Sequence, residues 1–161
     1  MDFKSDFSMT IGGAAIRSDA LIDVLNPATE AVIAAAPDCS RAELDAAVEA
    51  ARTAFPAWSA RSIDDRRMLL LQLADALLQN VEPMARLLTS EQGKPLADAT
   101  NEIGGAAMYL KGICTLDLPV TTTDPDDGQG RIIETHHVPV GIVGGIAPWN
   151  FPVLLGMFKL A

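Results

Sequence analysis

Apolar positions follow two regimes along this chain. Between residues 41 and about 113 they recur three and four apart, the period of a helix face; on either side they form short runs punctuated by Gly, Pro, Asn and Asp. The first stretch alternates β-like runs, Met9 to Ile16, Leu21 to Leu25 and Ala31 to Ala36, with a turn at Asn26-Pro27 and a stop at Pro37-Asp38, which predicts a small antiparallel meander. Ser40-Arg41-Ala42-Glu43 has the form of a capping box, and Leu44, Ala47, Val48, Ala51 and Phe55 follow at helical spacing, so a helix is expected over about 41 to 55, ending at Pro56. Ser62 caps a second helix with a stripe of Leu69, Leu70, Leu73, Ala74 and Leu77. Asn80 and Pro83 start a third that Gly93 stops, and Pro95 opens a fourth whose face is Ile103, Ala106, Ala107 and Leu110, loosened at Gly112.

The second regime begins at Leu118. Leu118 to Thr123 and Arg131 to Val138 are strand-like around the turn Asp124 to Gly130, which predicts a long hairpin. A projecting ribbon with free edges suits pairing with another subunit, and an ordinary connecting ribbon fits the same pattern. Val140 to Ala147 is β-branched and glycine-bearing, as expected of a buried parallel strand, and Pro148-Trp149-Asn150-Phe151-Pro152 follows it directly. Strand ends of this kind meet the ligand crevice of an open α/β sheet. Asn150 would then face the crevice, where an uncharged amide offers N–H donors to a developing oxyanion, chemistry suited to acyl or aldehyde substrates.

The near-absence of charge from Val138 to Ala161 invites a transmembrane reading. Pro139, Pro148 and Pro152 oppose it, since each interrupts a continuous helix, and strand, turn and new helix account for the same apolarity by burial. No membrane partner is expected. The balance of 12 Lys+Arg against 21 Asp+Glu, net −9, supplies no footprint for nucleic acid or anionic lipid. Two cysteines, Cys39 and Cys114, form neither a metal spacing nor a disulfide framework, and Met1 to Phe7 carries acidic residues without an apolar core, so a reducing, cytoplasmic setting is expected.

Several motifs fail on inspection. Glu91-Gln92-Gly93-Lys94-Pro95 lacks the first glycine and the hydroxyl of a phosphate loop and reads as helix stop and restart; Gly141, Gly144 and Gly145 do not make G-x-G-x-x-G. His136 and His137 fall on opposite faces of a strand and cannot share one ion, so no metal site is expected. Neither cysteine has a basic sequence neighbour that would activate it, and Phe158 and Lys159 read as ordinary amphipathic packing.

Asn26-Pro27-Ala28-Thr29, Phe55-Pro56-Ala57-Trp58, the Leu69 to Leu88 helices, Glu91 to Leu96, and above all Pro139 to Gly144 through Pro148-Trp149-Asn150-Phe151-Pro152 together resemble the aldehyde dehydrogenase superfamily across essentially the whole chain. The resemblance implies an α/β fold: an incomplete Rossmann-like dinucleotide-binding domain, its N-terminal β and helical part over 1–117, an oligomerisation arm over 118–138, and the first buried strand and following helix over 139–161. It implies oxidation of an aldehyde to a carboxylic acid with NAD or NADP through a cysteine thiohemiacetal, in a homo-oligomer joined through 118–138. Asn150 matches the oxyanion asparagine. Ile146, Ala147, Pro148, Trp149 and Asn150 match the cofactor-lining stretch, and Phe151, Leu154, Leu155 and Phe158 match the aldehyde tunnel. The family's nucleophilic cysteine, glutamate base and ribose-binding lysine have no counterpart in these 161 residues, so the chain alone is expected to be inactive, with Ile142, Val143, Ile146, Val153, Leu154 and Phe158 left unpartnered. A non-catalytic module that assembles through its hairpin is the alternative.

Overall fold

Helix starts are the most explicit local signals in this sequence, and a computed structural model, which describes residues 7–124 and 128–161, places them as expected. The expectations for the first six residues and for positions 125–127 of the hairpin turn lie outside the described residues. At the head of α1 (Arg41–Ser59) the Ser40 hydroxyl accepts from the Glu43 N–H and the Glu43 carboxylate accepts from the Ser40 N–H, closing a capping box. The same hydrogen bonds hold the Glu43 carboxyl below the usual carboxylate range. Ser62 caps α2 (Ile63–Gln79) by accepting from Asp65. A third helix, α3 (Val81–Gln92), ends at Gly93, whose φ of 74° is left-handed, and α4 (Leu96–Ile113) starts directly after Pro95.

The core is built on α4. Ala99, Ile103, Ala106, Ala107 and Leu110 are completely buried, meeting Ala74 and Leu77 of α2 and Ala85 and Leu88 of α3. Alanines on several facing turns let the backbones approach closely, while Ile103 and Leu110 supply the bulk. The last helix, α5 (Pro152–Leu160), closes over this layer with Val153, Leu154 and Met157.

Around the helices the structure departs from expectation in four places. The predicted meander is two separate antiparallel pairs, β1 (Met9–Ile11) with β2 (Ala14–Ile16) and β3 (Leu21–Leu25) with β4 (Val32–Pro37). Residues 17–20 carry the chain from one to the other, and there Ser18 donates to the Asp38 carbonyl at 2.8 Å instead of joining a ladder. The first helix runs past Pro56 to Ser59, because proline deletes only its own donor and its carbonyl still accepts from Ala60. The long hairpin pairs only three residues per strand, β5 (Thr121–Thr123) with β6 (Ile133–Thr135), all exposed; Pro119 and Pro139 cannot extend the ladder and neither face is buried.

The fourth correction concerns Val140 to Ala147, which forms no strand. Val140 is 91% and Ile146 88% exposed. A parallel strand takes every hydrogen bond from neighbouring strands, and no described segment lies alongside to supply them. Ile142, Val143 and Ile146 are open as expected. Val153 and Leu154, by contrast, are partly buried against the core, and Phe158 stacks on Tyr109 with ring centroids 3.9 Å apart. No helix among the described residues is long and apolar enough to cross a membrane.

Candidate functional site

Where α3 stops and α4 begins, the turn 92–95 meets the loop 149–151, and between them opens a cleft of about 440 Å³ lined by Lys94, Asp98, Glu102, Trp149, Asn150 and Phe151 among others. Gly93 lets the chain reverse here. Its left-handed φ suits glycine, and a Cβ built on it would lie 3.0 Å from Cγ of Pro27, so the β3–β4 turn presses on the same spot.

The loop is held through its backbone. Gln92 Nε2 donates to the Trp149 carbonyl, and Lys94 Nζ donates to the Asn150 carbonyl at 2.6 Å while standing 4.0 Å from the centre of the Phe151 ring. Lys94 also pairs with Glu102, whose side chain is fully buried on the core face of α4. The other oxygen of Glu102 accepts from the N–H groups of Val153 at 2.9 Å and Leu154 at 3.2 Å. Phe151 precedes α5 without a side-chain cap, so a carboxylate from a different helix satisfies the first donors of α5 and faces its positive dipole end. Glu91 sits one turn away at the end of α3, where partial burial pushes its carboxyl up.

The sequence-predicted residues divide around this cleft. Trp149, Asn150, Phe151 and Leu154 line it. Ile146, Ala147 and Pro148 lie outside it on the exposed stretch leading in. Leu155 is half-buried in α5 and Phe158 is committed to Tyr109, so neither is among the cleft residues. Cys39 is exposed at the start of α1, and Cys114, at the end of α4, donates to the Arg67 carbonyl at 3.6 Å in a second pocket with Trp58 and Leu70; neither cysteine reaches the cleft. His136 is near Glu134, and no group of His, Cys, Asp or Glu fit to hold a metal occurs among the described residues. Lys94 and Glu102 were not expected. The available signal was a glutamate in register with the apolar stripe, three residues after Ala99 and four before Ala106.

Residues 15–161 match the aldehyde dehydrogenase family, and the chain belongs to it. It is 38% identical over 148 residues to methylmalonate-semialdehyde/malonate-semialdehyde dehydrogenase (acylating) of Mus musculus, an alignment covering 90% of this chain and 28% of the mouse protein. The NADP-dependent glyceraldehyde-3-phosphate dehydrogenase from Bacillus halodurans C-125, solved with NADP, superposes with a TM-score of 0.89 at 28% identity over 97% of this chain and 35% of that one. The NAD-dependent aldehyde dehydrogenase from Sinorhizobium meliloti gives 0.84 at 31% identity, covering 94% and 31%. The chain thus has the fold of one part of these enzymes and spans about a third of their length.

Proposed function

We propose that these residues serve NAD- or NADP-dependent oxidation of an aldehyde to the acid through a cysteine thiohemiacetal, with Asn150 as oxyanion donor. The observation that carries this reading is the loop 149–151, in which the peptide bearing Asn150 is tied down at its carbonyl beside an open cleft in a chain of this family. Holding the main chain restricts where the Asn150 side-chain amide can stand, and a donor placed in advance needs little reorganisation as charge develops on the substrate oxygen. The dinucleotide, when bound, supplies the hydride acceptor. Ile146 and Trp149 are apolar and stand 88% and 83% exposed, free to take a dinucleotide, and with Ala147 and Pro148 they would line its site. Phe151 and Leu154 would bound the aldehyde, with Leu155 and Phe158 further along the same helix. Neither Cys39 nor Cys114 is the nucleophile of this reading, so a polypeptide of residues 1–161 alone is expected to turn over no aldehyde.

The test is reduction of NAD and NADP by the protein expressed from its own gene, with semialdehydes and simple aldehydes, followed by Asn150→Ala. A rate loss of about 100- to 1,000-fold is expected. A loss below threefold would remove Asn150 from the chemistry.

A second reading, a cytoplasmic assembly module joining like subunits through 118–138, draws on the β5–β6 ribbon, where Ile132, Ile133 and Val120 are exposed and, among the described residues, each strand pairs on one edge alone. Replacing Thr122 by proline should then dissociate the oligomer, as read by sedimentation, and an unchanged mass would dismiss this role.

A further inference from the structure

We propose that Lys94 and Glu102 are positioning residues for Asn150, acting on its main chain rather than on substrate; this rests on the reading of Asn150 as oxyanion donor. Four contacts converge on a five-residue stretch. The ammonium of Lys94 holds the Asn150 carbonyl at 2.6 Å, and its partner Glu102 holds the N–H groups of Val153 and Leu154 at 2.9 and 3.2 Å. One buried ion pair therefore grips the backbone on both sides of Phe151-Pro152. The proline ring fixes one of the intervening dihedrals, and the Lys94 charge lies over the Phe151 ring. Gln92, two residues before Lys94, holds the preceding carbonyl, that of Trp149.

The arrangement is more specific than fold stabilisation requires. A helix is ordinarily capped by the residue before it, and a serine or aspartate at position 151 would satisfy the same donors without burying a charge. Placing the cap on α4 instead ties α5 and the Asn150 peptide to the rigid centre of the core, with Lys94 as the link. Loosening the link leaves Asn150 in place chemically but lets it wander, and a displacement of about 1 Å at a reacting group costs on the order of 100-fold in rate.

The experiment compares Lys94→Met, Lys94→Arg, Glu102→Gln, Asn150→Ala and the Lys94→Met/Asn150→Ala double variant in the protein expressed from its own gene. Lys94→Met should lower kcat by about 100-fold with KM for aldehyde and dinucleotide unchanged, and should cost nothing further once Asn150 is alanine. Lys94→Arg retains the charge and the fold but changes the reach, so its kcat should fall while its melting temperature stays near wild type. Amide exchange at Val153 and Leu154 in Glu102→Gln should quicken by about tenfold or more, the equivalent of one weakened charged hydrogen bond. Additive losses in the double variant, or an active enzyme indifferent to Lys94→Met and Lys94→Arg, overturn the positioning role and leave the aldehyde reading intact. A wild type that carries the family's nucleophilic cysteine and still reduces neither dinucleotide overturns the aldehyde reading itself, and this role with it. Unchanged exchange at Val153 and Leu154 removes Glu102 from the clamp.

Discussion

Helix α4 and the segment 138–149 are both rich in apolar residues, yet Ile103 is wholly buried and Val140 almost wholly exposed. A helix closes its hydrogen bonds within itself, so α4 needs only apolar neighbours, and α2, α3 and α5 provide them. An extended segment needs partners for its backbone as well as its side chains. Apolarity alone therefore does not determine where a segment settles in this chain; the source of its main-chain partners does.

Breaking the closed region should be costly in proportion to burial. Glu102→Ala leaves the Lys94 ammonium nearly enclosed and unpaired and uncaps α5, and a loss of about 3–5 kcal/mol in urea unfolding is expected. Ile103→Ala should cost about 2–5 kcal/mol by opening a cavity between α2, α3 and α4. Val143→Ser on the open segment should stay within about 0.5 kcal/mol, and a loss above 2 would mean that the segment is covered after all.

Smaller effects refine the contrast. At Gly93 an alanine meets Pro27 and a left-handed backbone, so Gly93→Ala should cost about 1–2 kcal/mol in the same measurement. The Glu43 carboxyl is lowered by the Ser40 hydroxyl and N–H, so its contribution is present above the pKa of the unfolded chain and is lost as pH falls through the lower folded value. Glu43→Gln should flatten the acid limb of the stability profile by lowering the neutral and alkaline plateau toward the value at low pH, without changing the slope on the alkaline side.

What could be read from the sequence follows the same division. Ser40, Ser62 and Gly93 act within a few residues of themselves, and each marks a helix boundary as expected. An end of α1 at Pro56 does not hold, because the proline removes a single N–H donor while its own carbonyl still accepts from Ala60 and carries the helix to Ser59. The strand expected at 140–147 does not form, because its pattern describes an environment that these residues do not themselves provide. At the site, Trp149, Asn150, Phe151 and Leu154 were legible as a motif, whereas the Glu102 bonds to Val153 and Leu154 span 51 and 52 residues and have no local signature.

The borrowed cap of α5 also sets an order of events. The start of α5 has no serine, threonine or aspartate of its own, so its leading N–H donors find no local partner. Its first turn becomes favourable only after α4 has formed and turned Glu102 toward it. During synthesis from the N-terminus α4 emerges first, so it stands as a template when Pro152 follows, and the loop carrying Asn150 takes its shape as α5 docks.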